Sequence, residues 1–143
     1  MALSICSLNV QGLKNSHSRL SLLRQVGLFH PSLLCIQETN INVMFDLKFN
    51  IPHFVGHYNS AVHRFNGTAI FLKTECTAET SAIICKGGSQ RISFKRKGNS
   101  FVVYNTHLPH SDVEALDMIE RLDTDMALFP SHQNIVWGLE FCG

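Results

Sequence analysis

The apolar run Leu33-Leu34-Cys35-Ile36-Gln37 breaks off at Glu38, and an earlier run over residues 3–10 carries Asn9 near its end. A carboxylate at the exit of a core strand is costly to desolvate unless something compensates its charge. If the two strands are neighbours and parallel, Asn9 and Glu38 emerge at the same edge, where open α/β sheets build their sites. An amide and an acid placed there are oxygen ligands for a hard cation such as Mg²⁺, which takes few protein ligands and leaves room for phosphate oxygens. Spacing alone leaves a second reading open, in which Glu38 is a solvent-exposed strand end. His107 follows the run Phe101–Thr106 and is a candidate for acid–base work or phosphate contact. As one of eight histidines, it is equally readable as a surface or packed residue.

Recognisable elements would position these three residues. Residues 3–10 and 32–37 are strand candidates. Between them the spacing predicts a helix over 16–29, with Leu20, Leu23, Val26 and Phe29 as its apolar stripe and His30-Pro31 as its stop. Strand–helix–strand with short links implies parallel strands. Residues 40–52 read as a loop holding one helical turn, closed by Pro52. Five short strands follow at close spacing, over 53–60, 67–73, 79–85, 90–96 and 100–107. The turn pairs Asn66-Gly67, Gly87-Gly88 and Gly98-Asn99 fall at three of the four junctions between them, which predicts antiparallel hairpins. Ser111 and Glu114 form a capping box for a second helix, with Val113, Leu116, Ile119, Leu122, Met126 and Phe129 on one face. Pro130 ends it, and 133–138 is a last apolar strand. Strands apolar on both faces point to an α/β mixed-sheet sandwich in layers.

Totals constrain the class. At 143 residues, 45% hydrophobic and 16% charged, the chain reads as one globular domain spanning 1–143. A net charge of +1 makes no electrostatic case for or against nucleic acid. The basic cluster 95–98, with Arg91 nearby, reads as a solvated hairpin tip. Five cysteines, odd in number and without metal-type spacing, suggest a reducing compartment, with Cys6 and Cys35 as small core residues. The N-terminus lacks the pattern of a signal peptide, and no window approaches a membrane span. The expectation is an intracellular protein, nuclear or cytoplasmic.

"SLNVQGL" followed by "LLCIQETN", "NGTAIFLK", "FVVYNTHLPHSD" and "IVWGLEFCG", in that order, resembles the DNase-I-like endonuclease/exonuclease/phosphatase family over essentially the whole chain. The wording of "NVQGL", "IQETN" and "HQNIVWG" is closest to LINE-type retrotransposon endonuclease domains. The resemblance implies metal-dependent phosphodiester hydrolysis on DNA, with Mg²⁺ as cofactor and Mn²⁺ as its substitute. It implies Glu38 and Asn9 as metal ligands, with Asn9 also holding phosphate, and His107 beside the scissile phosphate. Glu140 falls where the family's Gly-Asp-Phe-Asn motif has the Asp that orients or deprotonates water. Leu139 stands for a Gly of that template and Cys142 for its Asn. Glu keeps the charge but adds a methylene, more than a preorganised site tolerates without adjustment. Cys142 also reads as a plain core residue. The family pattern goes on to a second sheet and a closing Asp-His pair, for which neither His53 nor His132 is in a matching motif. The expectation is therefore an incomplete domain, the N-terminal part of the four-layer fold. Two further outcomes follow from that expectation: a catalytically silent remnant, or an interaction module that self-associates through an exposed sheet face.

Overall fold

The computed structural model describes residues 3–63, 65–130 and, as backbone, 134–141. Sheet A has the order β1 (Ile5–Asn9), β2 (Leu33–Gln37), β4 (Thr68–Lys73), β3 (Phe54–Asn59). Sheet B follows chain order: β5 (Thr77–Cys85), β6 (Ser89–Arg96), β7 (Asn99–Leu108), β8 (Asn134–Phe141). Two pairs are parallel, β1 with β2 and β7 with β8, and each contains a helix in its connection. These are α1 (Ser16–Phe29) and α2 (Asp112–Met126). The other neighbours are antiparallel, as short connections demand.

Strand alternation sorts the apolar residues into layers. Leu33, Cys35, Ile70, Leu72, Ile92, Phe94 and Val103 meet between the sheets. Leu34, Ile36, Ala69 and Phe71 face outward from sheet A onto Leu22 of α1 and onto Ile41 and Ile51. Val102, Tyr104 and Leu108 face outward from sheet B onto Met118 and Leu122 of α2. Tyr104 donates to Asp125 Oδ2 at 2.7 Å, and Arg91 Nε lies 3.1 Å from the same oxygen, which pins α2 to its sheet. The result is a four-layer helix–sheet–sheet–helix sandwich.

The eight strands and two helices fall where the sequence places them. The second sheet, expected to be missing, lies within this chain as β5–β8. The inner faces of the two sheets close on each other, so the uncovered face expected from the sequence is not found among the described residues. Each helix region buries only part of the stripe expected: Val26 of α1, and Leu122 and Met126 of α2 with Phe129 just beyond it, pack on the core, and the rest of each stripe does not. In α1, Leu22 is buried while Leu20, Leu23 and Phe29 are exposed. In α2, Met118 and Leu122 are buried, with Met126 and Phe129 against them, while Val113, Leu116 and Ile119 face solvent. Both helices carry more apolar residues than one stripe can hold, and the i, i+4 series Met118-Leu122-Met126 is the one that meets the sheet. The basic cluster is also more than a solvated tip. Lys97 and Gly98, both at positive φ, make the two-residue turn of a β6–β7 hairpin, but Arg91 and Arg96 are buried beside Asp125 and Glu75. Cys35 is a core residue as expected, its thiol pushed up to about 12 by burial.

Candidate active site at the exits of two parallel strand pairs

Asn9 and Gln37 are register partners at the ends of β1 and β2, and Thr68 and Asn59 continue the row across sheet A. Glu38 comes next after Gln37. Asn9 Nδ2 donates to Glu38 Oε2, and Asn66 Nδ2, from the loop before β4, lies 3.4 Å from Glu38 Oε1. Asn9 Oδ1 accepts from the Gln11 N–H at 3.1 Å. The two ligands expected from the sequence are therefore in contact.

Main-chain bonds brace this corner. The amides of Gly12 and Leu13 donate to the carbonyls of Glu38 and Thr39 at 2.7 and 2.8 Å. Thr39 and Asn40 donate to Gly67 and Asn66 at 3.3 and 2.7 Å. Gln11, Glu38 and Asn40 sit in the left-handed region, with φ of 51°, 55° and 54°. Side chains rarely adopt that conformation, and where it clusters it is held by surrounding structure. Gly67 (φ 89°) is required by close approach: a Cβ there would lie 2.6 Å from Thr39 Oγ1.

His107 lies one residue before the end of β7, 7% exposed, with its N–H on the Gly88 carbonyl at 2.8 Å. Alternation gives it the same face as Val103 and Asn105, the face turned toward sheet A. A cavity of about 380 Å³ is lined by Phe65, Asn66, His107, His110, Ser111 and Glu114, among others. Asn66 thus touches Glu38 and also shares a wall with His107. Ser111 caps α2, as the sequence predicts. Glu140 pairs in register with His107, so the backbone brings it to this end, while Cys142 and His132 lie outside the described residues. His53 precedes β3 at the opposite end of sheet A from Asn59 and is not part of the site.

Beneath the site the space between the sheets turns polar. Asn105 Nδ2 donates to the carbonyls of Ile36 and Ala69, both at 2.9 Å, and Asn105 Oδ1 accepts from Gln37 Nε2 at 2.8 Å. All three contacts cross from sheet B to sheet A. Gln37 Nε2 also reaches Ser7 Oγ at 3.1 Å. Asn105 is two residues from His107, and Gln37 is next to Glu38. The pair therefore sets the spacing between the two halves of the site. Sequence reasoning gave no role of this kind to Asn66, which reads as the first half of an Asn-Gly turn. It also assigned none to Asn105, although an amide inside an apolar strand was a usable signal.

The donor set suits a hard cation. One carboxylate meets two amides through their Nδ2 groups, and each amide also carries an oxygen; three His, Cys, Asp or Glu residues in metal-binding reach occur nowhere among the described residues. A softer ion such as zinc favours such a cluster, whereas a hard cation that keeps most of its water does not need one.

No family model matches the chain. A search of solved structures pairs it with TDP2 from D. rerio complexed with single-strand DNA product, with a TM-score of 0.77 over 94% of this chain and 58% of that one, at 20% identity. An endonuclease/exonuclease/phosphatase family protein from Leptotrichia buccalis aligns with a TM-score of 0.68 at 16% identity, over 95% of this chain and 65% of that one. The fold is that of the endonuclease/exonuclease/phosphatase family. The same fold is seen in a mannosyl-6-phosphatase from Bacteroides thetaiotaomicron, with a TM-score of 0.68 at 15% identity, over 94% of this chain and 62% of that one. Among curated proteins, a DNA-(apurinic or apyrimidinic site) endonuclease from Dictyostelium discoideum is 26% identical over 99% of this chain. The chain spans 41% of that relative's length.

Proposed function

We propose that the chain carries the metal-binding half of a phosphodiester-hydrolysing site that acts on nucleic acid. The observation that carries this reading is the convergence of Asn9, Glu38 and Asn66 at one braced corner, with His107 across a shared cavity. In it, Glu38 and Asn9 hold a divalent cation, Mg²⁺ or Mn²⁺. Bound there, the cation supplies charge stabilisation on the phosphoryl oxygens. Asn66 holds the second Glu38 oxygen in place. His107 would hydrogen-bond a phosphoryl oxygen, and the Glu140 carboxylate would serve as the base that takes the proton of the attacking water. DNA as substrate is supported by the apurinic-site endonuclease relative and by the DNA-bound TDP2 neighbour. The narrower origin, a LINE-type retroelement endonuclease, rests on the motif wording alone.

A second reading is a silent remnant, favoured by Glu140 and Cys142 standing where the family pattern has Asp and Asn. Self-association through sheet edges would use β1 or β3 of sheet A, or β5 or β8 of sheet B, the outer strands of the two sheets. Nicking of supercoiled plasmid in Mg²⁺ is the test, beside Glu38→Ala and EDTA. Nicking that needs both Glu38 and the metal supports hydrolysis. A folded protein that does not nick, and whose Glu38 does not respond to Mn²⁺ in relaxation measurements, rules it out.

A further inference from the structure

Four residues beyond Glu38 the chain makes one tight turn at Asn42. It is unusually well held for a surface loop. Asn42 Oδ1 accepts from Met44 N–H at 3.0 Å, and Asp46 Oδ2 accepts from Asn42 N–H at 2.9 Å. The Phe45 and Asp46 amides close on the Asn42 carbonyl at 3.1 and 2.8 Å. Asn42 Nδ2 donates to Ala61 O at 3.1 Å, and the Val43 amide to Ser60 Oγ at 3.1 Å. Yet this braced turn presents Met44, Phe45 and Leu47 to solvent, at 82%, 84% and 88% exposure. The loop has access to a core, because Ile41 and Ile51 are buried and Phe49 packs beside α1. Its outward residues are displayed by the geometry of the turn, not stranded for want of a place to pack.

The surroundings fit a polyanion. Lys14 lies 3.6 Å from Asp46 and is itself largely exposed. Lys48 is exposed, and Arg19 sits over the Phe49 ring at 5.2 Å. Over residues 13–19 and 42–49 there are three cations, Lys14, Arg19 and Lys48, and one acid, Asp46, which Lys14 and the Asn42 amide engage; Arg19 Nε donates to the Leu13 carbonyl and Lys48 Nζ lies 6.0 Å over the Tyr58 ring. The turn grows from the β2 exit that carries Glu38 and leans on the β1 exit loop through Lys14, so it stands at the site's end of the sandwich. Resting on the nucleic-acid reading above, we propose that this turn is a wedge. Met44, Phe45 and Leu47 enter between bases of the bound nucleic acid and unstack them, while Lys14 and Lys48 meet the flanking phosphates. Apolar side chains inserted at base steps kink a duplex in this way and bring more of it against the protein.

The test uses the 143-residue chain and an end-labelled DNA duplex carrying 2-aminopurine, in EDTA and in Ca²⁺. Anisotropy reads binding, and 2-aminopurine fluorescence reads unstacking. The wild type should raise the fluorescence severalfold at some position of the probe. Met44→Ser/Phe45→Ser, which changes only exposed side chains, should lose the rise even at protein concentrations where anisotropy shows the duplex fully bound. Leu47→Ser should lose part of it. Binding with no fluorescence change at any probe position overturns the wedge and leaves the nucleic-acid reading standing. No anisotropy change in either buffer overturns both. A double variant that unstacks as well as wild type overturns the wedge. So does a wild type that leaves 2-aminopurine unchanged but loses binding to anionic vesicles, or loses dimerisation, on the same substitutions.

Discussion

The two parallel strand pairs end at the same place but are finished differently. At the β1/β2 exit, three residues in left-handed conformation and a set of cross-loop backbone bonds fix Glu38 against Asn9. At the β7/β8 exit, His107 is still inside the β7 ladder, and no residue from 99 to 130 has positive φ. The first exit's backbone is thus over-determined, as the role proposed for Glu38 would require, since a carboxylate that holds a metal must be placed within about half an ångström. A histidine placed by ordinary strand pairing needs no such device. The first exit therefore concentrates its constraint in loops, and the second borrows its order from the sheet.

That contrast can be broken. The largest effect is expected from Glu38→Gln, which leaves the corner's hydrogen bonding partly intact but removes the charge. Plasmid nicking in Mg²⁺ should fall by about 1,000-fold, on the scale of deleting a principal electrostatic contact, while the melting temperature stays near wild type. Asn105→Leu attacks the link between the exits instead. It removes the donor to the buried Ile36 and Ala69 carbonyls and one of the acceptors of Gln37 Nε2, and urea unfolding should show a loss of about 3 kcal/mol. A stability equal to wild type would mean that the clasp does not join the sheets in solution.

The contrast can also be sharpened. Glu140→Asp with Cys142→Asn should raise metal-dependent nicking by about tenfold, since a carboxylate misplaced by one methylene costs rate through position alone. An unchanged rate would place the deficit elsewhere. The smallest effect concerns a residue of β3, away from both exits. Burial holds the His57 imidazole below its ordinary 6.5, and its Nε2 is buried without a hydrogen bond. The folded state then binds fewer protons than the unfolded one just below pH 6.5. The contribution is complete above that pH and is lost as pH falls through the folded value. His57→Gln should flatten this slope in denaturation midpoints measured from pH 7.5 to 5.

The elements were legible because each carries a strong local signal. Pro and Gly punctuate the hairpins, Ser111 caps α2, and the strand runs are long enough to assign. Asn9 and Glu38 were legible as a pair because parallel strands must end together. The helix faces were not, since residues such as Leu20 and Leu22, or Leu116 and Met118, differ only in which neighbour they meet. The second sheet was overlooked for a similar reason. Its strands were each identified, but nothing local states that β5–β8 leave sheet A and pack on top of it. Asn105 shows the same limit at one residue: its hydrogen bonds join positions 69 and 36 residues away.

Sheet A is drawn entirely from residues 5–73 and sheet B from residues 77–141. A chain emerging from a ribosome can therefore complete the first sheet before most of the second exists. Asn105 and His107 arrive late, and Asn105 bonds carbonyls belonging to strands already paired. The proposed site is then among the last features to form and among the first to come apart when the sheets separate, because Glu38 and His107 share no sheet. Hydrogen exchange of the Ile36 and Ala69 amides would track global opening, whereas occupancy of the site would report whether the two halves are docked.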